Sequence, residues 1–178
     1  LDDDGIFVDE LTQVGYVSRV ALPVYRPRSF LTSAYQGTLG SGLATAIGAK
    51  IANPERQVLS INGDGGFMYN VQELATAVKY NVAVVAIVFA DGAYGNVRRM
   101  QENLYDGRTI ASDLRNPDFV AMAESFGCAA YRAESPEELA KILPNAFKQT
   151  VPVVIEIPFP KTPDPWPIII PGRNRPAR

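Results

Sequence analysis

The sequence predicts an α/β domain: a doubly wound, mostly parallel sheet with helices on both faces. Two short runs, at 58–61 and 82–90, are almost continuously apolar, as strands covered on both sides must be. Between them, Val71, Leu74, Ala75 and Val78 recur at helical spacing, so strand, helix and strand alternate as in a sheet built from crossover units. Acid–glycine turns then follow both runs, with Asp64 in Asn62-Gly63-Asp64-Gly65-Gly66-Phe67 and Asp91 in Ala90-Asp91-Gly92-Ala93-Tyr94-Gly95.

In chain order, Ile6-Phe7-Val8 reads as a strand, 12–22 as a helix, and 29–31 as an extended piece after the interruptions at Pro23 and Pro27. Gly37 and Leu39 fall in a loop. The Gly- and Ala-rich segment 40–52 places Leu43, Ile47 and Ile51 four apart, suiting a helix held close to the sheet, and Asn53-Pro54 ends it. Strand 58–61, helix 69–80 and strand 82–89 come next. Asn116-Pro117-Asp118 opens a helix running through Phe126, and Ala129-Ala130-Tyr131 is a short strand. Ser135-Pro136 gives an N-cap with proline at the first helical position, and 151–157 is the last strand. Beyond Pro158, prolines at 160, 163, 165, 167 and 171 predict an extended tail, so the chain divides into a domain at 1–158 and a proline-rich tail at 159–178.

The 178 residues suit one domain with a substantial core. With 17 basic and 19 acidic side chains, no segment has the concentrated positive charge that nucleic acid requires. The longest apolar run falls far short of the roughly 20 residues of a membrane span, so no membrane partner is expected. A single cysteine, Cys128, excludes an internal disulfide and agrees with a cytoplasmic setting. The absence of histidine excludes a serine–histidine triad and a histidine-ligated zinc. The chain opens at Leu1 without an initiator methionine or signal pattern, as a fragment or processed form would.

Asp64 and Asp91 stand at the carboxyl ends of two buried strands, where open α/β sheets bind ligands. A small hard cation takes one or two protein carboxylates and leaves its other positions to phosphate oxygens and water. Glycines around Asp64 allow the backbone to approach phosphates, and the following helix offers unpaired N–H groups. Taken alone, either aspartate also reads as an ordinary turn residue. Because each directly follows a buried strand, with glycines beside it, the pair together reads as a magnesium and diphosphate site.

Gly63-Asp64-Gly65-Gly66-Phe67, Val71-Gln72-Glu73-Leu74-Ala75-Thr76-Ala77 and Tyr94-Gly95-Asn96-Val97-Arg98 together resemble thiamine-diphosphate-dependent enzymes of the acetolactate synthase and pyruvate decarboxylase group. Upstream, Gly37-Thr38-Leu39-Gly40 and Ala46-Ile47-Gly48-Ala49 belong to the same pattern, and the resemblance runs from about Gly5 to Pro158. It implies the C-terminal diphosphate-binding (PP) domain of a carbon–carbon lyase or ligase acting on a 2-oxo acid. By this resemblance Asp64, Asp91 and the Ala93 carbonyl hold Mg2+, while Gly65 and Gly66 present N–H groups to the diphosphate. Gly63, Tyr94, Gly95 and Asn96 complete the cofactor-binding set. The catalytic contribution falls to Gly37, whose carbonyl takes a hydrogen bond from the cofactor's amino group, and to Leu39, the apolar wedge that keeps the cofactor bent. Ala90 departs from the pattern by replacing the first Asn of the usual pair, and Asp91 brings a full charge where many relatives carry Asn.

The same resemblance implies partners. The glutamate that activates the pyrimidine ring lies in a separate pyrimidine-binding domain, usually of a neighbouring subunit, and no residue here matches that domain. A homodimer or homotetramer is expected, with this chain inactive alone. The alternative is a cofactor-binding or assembly module without turnover. A dinucleotide or P-loop site is disfavoured, since Gly63-Asp64-Gly65-Gly66 is not Gly-x-Gly-x-x-Gly and lacks the P-loop lysine. Arg98 reads either as a diphosphate-end residue, with Tyr94 and Asn96, or as a surface cation beside Arg99; Gln13 reads as an exposed loop amide more than a phosphate contact, and Glu73 as a helix-face residue. Trp166 either covers the active site or docks the tail on the surface.

Overall fold

The computed structural model describes residues 1–33, 36–160 and 163–169. Six strands form one parallel sheet: β1 (Ile6–Asp9), β2 (Phe30–Thr32), β3 (Val58–Gly63), β4 (Val85–Ala90), β5 (Ala129–Arg132) and β6 (Val153–Pro158), in the order β2-β1-β3-β4-β6-β5. Side-chain alternation sends successive residues to opposite faces. Ile6, Val8, Val58, Ala86 and Val88 thus join one core with α2 (Ser41–Ala52), α3 (Asp64–Tyr69), α4 (Glu73–Lys79) and α6 (Phe119–Phe126). Phe7, Leu59, Ile61, Val85 and Ile87 join the other, where α7 (Pro136–Ala146) packs and Val14 of α1 (Gln13–Ala21) leans in. The doubly wound arrangement follows from strands apolar on both sides.

Helix starts fall where capping chemistry puts them. Thr12 accepts from the Gly15 N–H at 2.8 Å, Asp118 from Ala121 at 3.0 Å and Ser135 from Glu138 at 3.2 Å. Gly127, at φ 90°, closes α6.

Three boundaries differ from expectation. The single helix expected over 69–80 is two: α3 starts at Asp64, directly off β3, and α4 starts at Glu73. Glycines at 65 and 66 disguise α3, which is held instead by Phe67, 1% exposed and set edge-on to Phe119 at 6.0 Å. In α4, Ala77 is buried and Ala75 exposed, and in α2 Ile51 is 58% exposed although Leu43 and Ile47 are buried. Strand β4 begins at Val85 rather than 82, because Asn81 adopts φ 51° and the Val82 N–H caps back onto the Ala77 carbonyl. Nor is the tail wholly extended: Trp166–Ile169 forms a short helix, α8, with Pro167 in its first turn, where the missing N–H costs nothing. Residues 161–162 and 170–178 of the tail lie outside the described residues. Among the described residues, no helix is long and apolar enough to cross a membrane.

Candidate functional site

From β1 the chain winds outward to β2 and then returns to β3 on the other side of β1, so the order reverses between β1 and β3. Ligands of open α/β sheets bind outside the carboxyl ends of the strands at such a reversal. A cavity of about 310 Å³ lies there, and it gathers Gly37, Leu39, Gly63, Asp64, Gly65, Gly66, Asp91, Ala93, Tyr94, Gly95 and Asn96. Every residue singled out for the site in the sequence is on its wall. Leu11, Val14, Tyr16, Phe89, Val97 and Phe159 make the remainder largely apolar.

Asp64 is 1% exposed at the junction of β3 and α3. Its Oδ1 accepts from the Gly65 N–H at 2.7 Å; Oδ2 accepts from the Gly92 N–H at 2.8 Å and from Asn116 Nδ2 at 2.6 Å. An ionised carboxylate has about four acceptor directions, so these donors fix its orientation and leave one for a cation. Asp91 directly follows β4, and its Oδ1 accepts from the Ala93 N–H at 3.1 Å. Burial first, then the negative charge of Asp64, pushes the Asp91 carboxyl above its ordinary 3.8. A carboxyl raised by burial and by the acid beside it marks a place where a cation is favoured.

The Asp91–Tyr94 turn is fastened by a short bridge to 112–114: the Tyr94 N–H donates to the Ser112 carbonyl at 2.8 Å and the Leu114 N–H to the Gly92 carbonyl at 2.8 Å. Gly65 lies under the Tyr94 ring, where an added Cβ would stand 2.5 Å from Cε1. The backbone there is open to the cavity because the side chain is absent. Next to Leu39, Gly40 takes φ 83° as the N-cap of α2, and Asn70 Nδ2 donates to its carbonyl at 2.6 Å.

Two residues in this architecture were not identified from the sequence. Asn116, in the loop before α6, reaches back 52 positions to Asp64. Glu10, directly after β1, is 1% exposed and accepts from the Gly40 N–H at 2.6 Å and the Gly42 N–H at 3.3 Å. The only available signal was an acid pair, Asp9-Glu10, ending an apolar strand.

Gln13 does line the cavity. Arg98 is engaged by Asp113 at 2.7 Å and Glu102 at 3.2 Å, away from the cavity wall. Arg99 pairs with Asp164 at 3.2 Å and lies over the Trp166 ring, 5.6 Å from its centroid. Trp166 also packs on Tyr16 at 4.9 Å, so the tail docks across α1 and α5 (Gly95–Leu104) beside the cavity rim. Glu73 accepts from Thr76 Oγ1 at 2.9 Å, a helix-face contact.

Comparison with known proteins agrees with this geometry. The family described as "Thiamine pyrophosphate enzyme, C-terminal TPP binding domain" matches residues 12–157. Acetolactate synthase of Bacillus subtilis is 41% identical over 134 residues, covering 75% of this chain and 23% of that protein. The acetolactate synthase large subunit of Parasynechococcus marenigrum is 37% identical over 150 residues, covering 83% and 24%. Among solved structures, the thiamine diphosphate-dependent 4-hydroxybenzoylformate decarboxylase of Rhodococcus jostii superposes with a TM-score of 0.84 at 31% identity, over 90% of this chain and 30% of that one. The chain therefore spans about a quarter of the length of these synthases. A parallel sheet whose strand ends gather the glycine and aspartate motifs into one cavity, and a family match across 12–157, place this chain among the thiamine pyrophosphate enzymes, as their C-terminal TPP-binding domain.

Proposed function

We propose that this domain binds Mg2+ and thiamine diphosphate for a carbon–carbon lyase or ligase acting on 2-oxo acids, of the acetolactate synthase type. The observation that carries the reading is the convergence of Asp64 and Asp91 on one cavity with Gly37, Leu39, Gly65 and Gly66. The residues present fit the group. Among the described residues, no cluster of three or more Asp, Glu, Cys or His makes a self-sufficient metal cage. Two carboxylates with glycine backbone beside them suit a cation that shares its shell with phosphate oxygens.

In this reading Asp64 and Asp91 hold the metal through their side chains and Ala93 through its carbonyl, while Gly65 and Gly66 face the diphosphate. Gly63, Tyr94, Gly95 and Asn96 shape that end of the cavity. Gly37 offers its carbonyl to the cofactor's amino group and Leu39, half-buried on the wall, supports the bend. When bound, the cofactor supplies a carbon nucleophile that adds to a carbonyl and then stores the electron pair released by cleavage. This chain binds, orients and excludes water; Leu11, Val14, Phe89 and Phe159 give the dry wall.

Activation needs the pyrimidine-binding domain of the same or a neighbouring subunit, in a homodimer or homotetramer. The exposed stripe Val97, Met100 and Leu104 on α5, with Tyr105 and Ile110 beyond it, supports such a partner against this face. Residues 1–158 form the binding domain and 159–178 the tail, in a cytoplasmic enzyme. Calorimetric titration of the full-length protein tests the proposal: thiamine diphosphate binds only with Mg2+, and Asp64→Ala abolishes it. Undiminished binding to Asp64→Ala would refute the assignment.

A further inference from the structure

Glu10 immediately precedes Leu11 of the cavity wall and packs between Gly40 and Gly42 on one side and Gly66 on the other. Its Oε1 accepts from the Gly40 N–H at 2.6 Å, and Gly40 sits next to Leu39, the residue assigned to support the bent cofactor. Its Oε2 accepts from the Gly42 N–H in the first turn of α2 at 3.3 Å. On the other side, a Cβ at Gly66 would collide with Glu10 Oε1, so the carboxyl is also packed against the first turn of α3. The Glu10 backbone N–H donates to the Ile61 carbonyl at 3.1 Å and anchors the residue to β3. A fully buried carboxyl needs a structural or chemical reason, because burying one costs several kcal/mol unless it is hydrogen-bonded. Here its two donors are the N-cap and first turn of α2, directly after the loop that carries Gly37 and Leu39.

We propose that Glu10 is a positioning residue: by spanning from β1 to Gly40 and bearing on Gly66, it fixes the separation between the Gly37–Leu39 loop and the Gly65–Gly66 turn, and with it the seat of the bent cofactor. The inference rests on the thiamine diphosphate reading above. Reach is the physical variable. Glutamine has the same length and keeps an acceptor for Gly40, whereas aspartate keeps the charge and loses one methylene. Burial raises the Glu10 carboxyl from its ordinary 4.5, opposed by the Gly40 and Gly42 N–H groups.

The test is calorimetric titration of thiamine diphosphate with Mg2+ into the full-length apoprotein, alongside thermal unfolding. Glu10→Asp is expected to raise the cofactor dissociation constant at least about tenfold, while Glu10→Gln stays within about threefold of wild type. A wild-type protein that does not bind the cofactor defeats the parent reading. A wild type that binds, with Glu10→Asp binding equally well, defeats this one alone, and so does equal weakening in both variants, which shows that reach is not the deciding variable. Should Glu10→Asp fail to fold, amide hydrogen exchange of the 40–43 segment in wild-type apoprotein decides: slow exchange supports the clamp, and exchange at the rate of an open loop overturns it.

Discussion

Asn116 Nδ2 donates to Asp64 Oδ2 at 2.6 Å and so ties the loop before α6 to the acid that opens α3. The Gly92 N–H shares the same oxygen, and the pair leaves the carboxylate little freedom to turn. Outer partners of this kind orient a ligand without touching the metal, and their loss typically weakens metal affinity about 10- to 100-fold. Asn116→Ala is therefore expected to raise the Mg2+ concentration needed for half-maximal cofactor binding by about that factor, with the thermal midpoint little changed. An unchanged Mg2+ requirement in a titration would show that Gly65 and Gly92 suffice to hold Asp64.

That contact also marks the limit of what the sequence makes legible. The gathering of Asp64, Asp91 and Gly63–Gly66 at one cavity is legible because each acid stands just past an apolar strand, with glycines beside it. The strands themselves were readable since burial on both faces demands apolar residues without a break, as in Val85–Ala90. Glu10 and Asn116 act only across 30 and 52 positions of chain, and nothing beside them in the sequence names their partners. Helix α3 was missed for a related reason. Its glycines oppose helix formation, and the compensation comes from Phe67 burying itself against Phe119, a contact fixed by tertiary packing.

Glu10 makes the stability of the domain depend on pH in a defined direction. Burial, opposed by the Gly40 and Gly42 N–H groups, holds its carboxyl above the ordinary 4.5. The native state then keeps a proton that the unfolded chain has released, so unfolding free energy falls as pH rises from about 4.5 through the raised value, and levels off above it. Asp91 is displaced the same way and adds to the wild-type slope. Glu10→Gln removes only the Glu10 part. Urea midpoints between about pH 4.5 and 7.5 should show the variant gaining on wild type as pH increases; a flat difference would mean that Glu10 titrates alike in both states.

Cys128 follows the Gly127 cap of α6 and is 7% exposed against the core that also holds Ala123. Burial alone pushes its thiol up to about 11, which at pH 8 leaves roughly one molecule in a thousand as the reactive thiolate. Native protein should react with a thiol reagent at least about 100-fold more slowly than protein unfolded in urea. Comparable rates in the two states would place the sulfur in open contact with solvent.

Two glycine-to-alanine substitutions in helices should have opposite signs. At Gly48, within α2, an added methyl group meets nothing within 4 Å, so Gly48→Ala gains helix propensity and should stabilise by about 0.5–1 kcal/mol. At Gly66, within α3, the same methyl group strikes Glu10, which cannot retreat without abandoning the Gly40 N–H. Overpacking of about 1–3 kcal/mol, plus a buried donor left without its acceptor, outweighs the propensity gain. The expected net loss for Gly66→Ala is about 2 kcal/mol, and the variant should also bind the cofactor less tightly because the methyl group pushes α3 away from the loop at Leu39. Denaturant unfolding of both variants at one pH checks the pair. If Gly66→Ala proves as stable as Gly48→Ala, the carboxyl of Glu10 does not occupy the space between α3 and Gly40.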